Sequence, residues 1–402
     1  MRVRSLRLLL VLAVPAALTG VGFAGTAGGA QTFTVDVDGH NPKANEAFIA
    51  YYPRVTSLHP GDTVVFHEVG NGEPHTVTLG TLVDGVAKQV AKLTPKQRQA
   101  PKPPPALLHA DAKLPQLLPQ GPGDAIQSAA NPCVTTTGVP GKAKCPQRSL
   151  PDFTGAQSYY NSGWLNSNQK FTVHLSSSTP PGTYAFMCLL HREGMMGSLK
   201  VVPASTPVPS PSAQRATGAK ELASVQAKLV PAVTALRKGK VPGLAAPGTN
   251  GVFAGSGSPS AMEAEITEFG PKTIKIPVGG SVTWYLLGPH SITFNSNKTN
   301  DDIRLTAPDG SVHLNPKAVA PVNGPGEPPP SSTGSSSSSG PPKFKVVASK
   351  TWNGQGFLNS GVFVNSFGPP LIEGYKLTFT KAGTYKYLCT VHDEMKGTVV
   401  VG

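Results

Sequence analysis

The chain has 402 residues, enough for two or three domains, with 44 glycines, 41 prolines and only 7% aromatic residues, so much of it is turn, loop or linker. Its formal charge is +13, but no dense basic run carries interleaved aromatics, which argues against nucleic acid as a partner. Beyond the N-terminal segment, no stretch is long and apolar enough to cross a bilayer.

The chain opens with Arg2, Arg4 and Arg7 followed by an apolar run over residues 8–18, the basic-then-hydrophobic order of a secretory leader. Small residues surround two possible cleavage points, Ala27 and Ala30. Residues 1–30 are therefore expected to be a signal peptide, with the mature chain exported to an extracellular, periplasmic or cell-envelope space. Losing the three arginines takes the charge to about +10.

Residues 31–203 form the first expected domain. Alternating segments at 63–67, 170–175 and 198–202 predict strands, and Pro60-Gly61-Asp62 marks a turn. An insert over about 81–150 holds a predicted short helix near 82–93, Pro-rich chain, and Cys133 and Cys145. In an exported protein these two cysteines are the natural disulfide pair. Residues 204–260 predict a linker, Pro/Ser-rich at its start and Gly-rich at its end. Within it Leu222, Val225, Leu229, Val233 and Leu236 fall at helical spacing, while Pro231 counts against one uninterrupted helix. This stripe suits ordinary packing or a partly ordered linker better than a partner-binding face. Residues 261–402 form a second domain with strands at 281–285, 375–380 and 398–401 and a low-complexity insert over about 296–345. Short strands separated by turns predict an all-β chain of two Greek-key sandwich or barrel domains.

The two domains repeat one another. Tyr160-Asn161-Ser162-Gly163 matches Leu358-Asn359-Ser360-Gly361, and Gly182-Thr183-Tyr184 matches Gly383-Thr384-Tyr385. Cys188 and His191 are each offset by 201 residues from Cys389 and His392. The first loop reads Cys188-Leu-Leu-His191-Arg-Glu-Gly-Met195-Met196-Gly197, and the second reads Cys389-Thr-Val-His392-Asp-Glu-Met395-Lys-Gly397. Each is preceded far upstream by a proline–histidine pair, Pro74-His75 and Pro289-His290. A thiolate, two imidazoles and a weak thioether suit a trigonal copper site whose geometry lies between the preferences of the two oxidation states. The expected ligands are His75, Cys188, His191 and Met195 (alternatively Met196), then His290, Cys389, His392 and Met395, with one copper per domain. Histidines 40, 59, 67, 109, 174 and 313 belong to no such constellation.

These loops resemble those of the blue-copper cupredoxins, the plastocyanin, amicyanin and azurin group. The second is similar to the short amicyanin loop, while Met196 would give the first a plastocyanin-like spacing. In those families an asparagine follows the first histidine; Thr76 and Ser291 stand there instead, leaving a hydroxyl to reach the cysteine loop. The resemblance implies one-electron transfer with redox-protein partners that the sequence does not identify. A copper storage or delivery protein, with copper donors as partners, is the alternative. Two-domain copper oxidases and nitrite reductases need a histidine beside the type 1 cysteine, whereas Met187, Leu189, Leu388 and Thr390 stand there. An enzyme is therefore not expected.

Overall fold

Alternation between apolar and polar residues builds the first sheet. Phe33, Val35 and Val37 turn inward, and so do Val64 and Phe66, while Thr34, Asp36 and Val65 between them are less buried. The computed structural model describes residues 29–41, 43–70, 75–94, 97, 105, 107, 151–165, 167–258, 260–297, 303–306, 312–322, 343–362, 371–392 and 394–402. Most of the expected signal peptide, the Cys133–Cys145 pair and the serine tract at 335–339 lie outside them. About 40% of the described residues are strand, so the fold is all-β as expected.

In the N-terminal half, β1 (Thr32–Val37), β2 (Glu46–Phe48), β3 (Tyr51–Tyr52), β4 (Val55–Leu58), β5 (Thr63–Glu68) and β6 (Thr78–Leu79) precede helix α1 (Thr81–Ala91). They are followed by β7 (Tyr160–Asn161), β8 (Lys170–His174), β9 (Gly182–Met187) and β10 (Met196–Val201). One sheet runs β3-β1-β5-β8 and the other β4-β10-β9-β6-β7. Between them lie Phe33, Val35, Phe66, Phe186, Leu199 and the Cys188 thiol.

After helix α2 (Pro211–Arg237) come β11 (Gly251–Ser258), β12 (Ala261–Gly270), β13 (Thr273–Ile276), β14 (Ser281–Leu286) and β15 (Thr293–Phe294). A hairpin of β16 (Arg304–Thr306) and β17 (Val312–Leu314) leads to the short helix α3 (Pro316–Val319). Then follow β18 (Lys343–Trp352), β19 (Leu358–Asn359), β20 (Leu371–Phe379), β21 (Gly383–Leu388) and β22 (Lys396–Val401). The sheets here run β18-β20-β14-β11-β12-β2 and β13-β22-β21-β15-β19. The repeat seen in the loops extends to the ladders. Val37 pairs with Glu68 in parallel as Ala254 pairs with Leu286, so Asp38 and Gly255 occupy equivalent places just beyond. Both have left-handed backbone, φ 64° and 79°.

The halves are not joined by a loose tether. Strand β2 of the first adds antiparallel to β12 of the second, with Phe48 opposite Ala264, Ala47 opposite Glu265 and Glu46 opposite Ile266. Measured from the pairings of Val37 with Tyr51 and Ala254 with Phe269, Ala47 and Glu265 are themselves equivalent positions. The ladder therefore crosses a local pseudo-two-fold axis. Helix α2 covers this junction: Val225, Leu229, Val233 and Leu236 pack with Phe48, Tyr52, Phe253 and Ile266. Here the structure corrects the expectation for Pro231, because α2 is continuous through it. The proline costs about 3 kcal/mol and one backbone hydrogen bond. Four buried apolar side chains, at about 1.5–3 kcal/mol each, outweigh that. Ser210 caps the start by accepting the Ala213 N–H, with Pro211 in the first turn.

The contact between α2 and the first half is close at Gly218, where a Cβ would stand 2.6 Å from the Pro53 nitrogen and 2.7 Å from the Tyr52 carbonyl carbon. Gly218→Ala is expected to lower stability by about 1–3 kcal/mol, although removing a helical glycine ordinarily gains about 1 kcal/mol. Chemical denaturation followed by tryptophan fluorescence measures the sign; a stabilised variant would contradict this packing.

Candidate metal centres

Each cysteine leaves the end of a strand and each methionine returns the chain to the next. Strands β9 and β10 are antiparallel, with Met187 opposite Met196, and the loop between them closes when the Cys188 N–H donates to the Met195 carbonyl at 3.1 Å. The Arg192 N–H donates to the Cys188 carbonyl at 2.8 Å, and a 3-10 turn over Arg192–Gly194 is closed by the Gly194 N–H donating to the His191 carbonyl at 2.9 Å. The C-terminal loop is a residue shorter but closes alike: Cys389 N–H to Met395 carbonyl and Met395 N–H to His392 carbonyl, both 3.0 Å. His75 reaches the loop from beyond β5, held by a bridge to Leu165 and by the Tyr51 hydroxyl donating to the Thr76 carbonyl at 2.7 Å.

The sequence-expected donors come together. Cys188 Sγ lies 3.9 Å from His75 Nδ1 and 3.6 Å from His191 Nδ1. Cys389 Sγ lies 3.9 Å from His290 Nδ1 and 3.6 Å from His392 Nδ1, and the two Nδ1 atoms are 3.2 Å apart. A triangle with those last three edges has a circumradius of about 2.1 Å, the length of a bond from a transition metal to imidazole or thiolate. Met195 and Met395 are fully buried in the same apolar clusters as their cysteines. Met196 packs instead on a separate cluster with Val83, Val86 and Leu189.

The hydroxyls at the asparagine position tie the two ligand loops together. Thr76 Oγ1 accepts the Leu189 N–H at 2.9 Å, and Ser291 Oγ accepts the Thr390 N–H at 2.9 Å. The backbone N–H groups of Thr76 and Ser291 point at the sulfurs, 3.4 Å away in each case. Burial alone would raise both thiols, but hydrogen bonds and charge from the paired imidazoles hold them well below the ordinary thiol range. The thiolate, the form that binds metal, is favoured in both halves.

Behind the ligands the halves diverge, through residues that sequence reasoning missed. With Nδ1 turned to sulfur, His75 presents Nε2 to Asp38 Oδ2 at 3.3 Å. Asp38, Glu68 and His75 are all buried and form the other close grouping of potential ligands among the described residues. Burial raises the Glu68 carboxyl well above its usual range, His75 lowers it and Asp38 pushes it further up. In the second half Gly255 and Leu286 replace Asp38 and Glu68, and His290 Nε2 is buried without a hydrogen-bond partner. A Cβ at Gly255 would run into that nitrogen. Glu265 instead approaches the other histidine, its Oε1 3.0 Å from His392 Nε2. His392 is only 2% exposed, whereas His191 is half-buried. Asp38 follows an alternating strand and Glu265 sits inside one; only the folded chain brings either to a histidine.

Of the remaining histidines, His59 Nε2 meets the Thr206 carbonyl, His174 meets Thr63, and His67 lies 4.0 Å from Asp36. None joins either centre. Thr76→Ala and Ser291→Ala are each expected to cost about 1–3 kcal/mol, because a buried N–H loses its acceptor. Denaturation of the metal-free protein checks this, with unchanged midpoints contradicting the tie between the loops.

No protein-family model matches the chain, and no curated protein matches it. Among solved structures, reduced auracyanin from the photosynthetic bacterium Roseiflexus castenholzii is similar at 18% identity, covering 44% of this chain and 100% of that one with a TM-score of 0.22. A Cu(I) amicyanin mutant aligns at 12% identity over 42% of this chain and 82% of its own, with a TM-score of 0.20. A second reduced amicyanin mutant, determined at pH 4, aligns at 19% identity over 39% and 86%, with a TM-score of 0.19.

Proposed function

We propose that each half binds one copper ion and that the chain is a one-electron carrier. The first ion is held by His75, Cys188 and His191 with Met195 as the weak axial ligand, the second by His290, Cys389 and His392 with Met395. The observation that carries this reading is the convergence of one thiolate sulfur and two imidazole Nδ1 atoms in each half, with the C-terminal triangle sized for a metal ion. Bound copper would supply a one-electron change that these ligands accommodate with little rearrangement.

The protein's part is to keep the donors still and dry. Two antiparallel strands fix cysteine and methionine, the hydroxyl of Thr76 or Ser291 fixes the first-histidine loop against them, and the apolar clusters exclude water. Full burial of both cysteines and both axial methionines favours retention of the ion over ready release to an acceptor, and so favours the carrier over the delivery reading. No helix among the described residues is long and apolar enough to cross a membrane. The leader-like residues 1–30 support an exported chain whose partners are other redox proteins.

Reconstitution with Cu(II) tests the proposal: two coppers per chain are expected, both with the intense blue absorption and paramagnetic spectrum of thiolate-bound type 1 sites. Cys188→Ala and Cys389→Ala should each abolish one of the two signals and keep the other. Loss of both in either variant, or colourless binding, would sink the assignment. In the Cys389→Ala background, Asp38→Gly is expected to raise the potential of the remaining site by about 60–120 mV, since about 59 mV is a tenfold change for one electron. The reason is that a buried carboxylate beside His75 stabilises the more positive ion; a lowered potential in redox titration would refute that role.

A further inference from the structure

We propose that one bridge of hydrogen bonds, running from His75 through Asp38 and the Ala47–Phe48 peptide to Glu265 and closed by the carboxylate–imidazole contact of Glu265 with His392, conducts electrons between the two centres. The inference rests on the copper reading above and adds how the two sites communicate. Its steps are short. His75 Nε2 faces Asp38 Oδ2 at 3.3 Å, and the other oxygen of the same carboxylate accepts the Phe48 N–H at 2.6 Å. Phe48 shares a peptide bond with Ala47, which faces Glu265 across the β2–β12 ladder. The Ile49 N–H donates to the Glu263 carbonyl and the Thr267 N–H to the Asn45 carbonyl. In an antiparallel ladder bonded pairs alternate, so Ala47 and Glu265 occupy a hydrogen-bonded position. The Glu265 side chain then ends 3.0 Å from His392 Nε2.

Pseudo-symmetry makes this more than a chain of neighbours. Because the ladder crosses a local two-fold at Ala47 and Glu265, a mirror route would run from His290 through position 255 and the Glu265–Ile266 peptide to position 47 and His191. Both side chains it would need are missing, since those positions are Gly255 and Ala47. Only one of the two equivalent routes is furnished, and its two carboxylates come from different halves. The C-terminal centre also needs such a route. His290, Cys389 and Met395 are 0% exposed and His392 is 2% exposed, whereas His191 of the first centre reaches the surface in part. Electrons from outside enter at the first centre and cross the bridge to the second. With copper bound at both sites, one electron lost by Cu(I) in one half would be gained by Cu(II) in the other, so that the bridge residues would give up no proton and no further oxidant or reductant would be consumed.

The test uses the full chain loaded with two coppers, the single-cysteine variants supplying the reference spectrum of each centre. After a sub-stoichiometric pulse of reductant, the electron should redistribute between the two bands at a rate independent of protein concentration. Glu265→Ala and Asp38→Gly, the latter copying the residue of the other half, should each slow that phase by an order of magnitude or more while both bands persist. Glu263→Ala, which removes the cross-half pair with Arg54 beside the bridge, should not. In the fully reduced protein, the ring Nε2 protons of His75 and His392 should exchange slowly with solvent, each shifting in NMR only when its own carboxylate is replaced. An unchanged rate in Glu265→Ala, a rate that rises with protein concentration, or rapidly exchanging ring protons overturns the bridge and leaves the copper reading standing. Absence of both blue bands overturns the copper reading and the bridge with it.

Discussion

A fully buried cysteine sulfur is the constraint around which the rest of each half is arranged. Sulfur that carries charge away from water is stable only when N–H donors and cations, or a metal, replace the lost solvent. Cys188 and Cys389 receive a backbone N–H from the first-histidine loop and face two imidazoles each. Holding those donors in place requires two loops from different strands to be locked together, which the hydroxyls of Thr76 and Ser291 do by accepting N–H groups of the cysteine loops. The sandwich cores matter to function because they fix the strands from which those loops hang.

The two centres share this inner arrangement and differ behind it. Carboxylates stand against His75 in the first half and against His392 in the second, while the equivalent places hold glycine, leucine or alanine. A duplicated fold thus yields two pockets with different charge around the same donors, and different access to the surface. The halves meet where β2 pairs with β12, and α2 seals the apolar side of that pairing. Helix α2 supplies packing across the halves, not a flexible spacer, so the centres are held at a set separation.

Much of this was legible in the chain itself. Duplicated Cys-x-x-His loops ending in methionine point to candidate donors because three such side chains lie within eight residues, where local backbone alone brings them close. Strands at 63–67 and 281–285 were readable because one face of each is buried, which imposes a period of two. Pro231 misled because its local cost is real, while the apolar surface that repays it belongs to strands far away in sequence.

The sequence alone carried the all-β class, the internal repeat and eight candidate donors, six from short-range spacing in the cysteine loops and His75 and His290 from a proline–histidine pair far upstream. The tertiary structure decided that Met195 and not Met196 shares a cluster with Cys188, that Asp38, Glu68 and Glu265 stand beside the histidines, and that the halves share a sheet. Those facts depend on which strand lies next to which, and on the side of a pleat each side chain takes. Contacts between residues as distant as Ala47 and Glu265 leave no periodic trace in either segment, so only the assembled sheets reveal them.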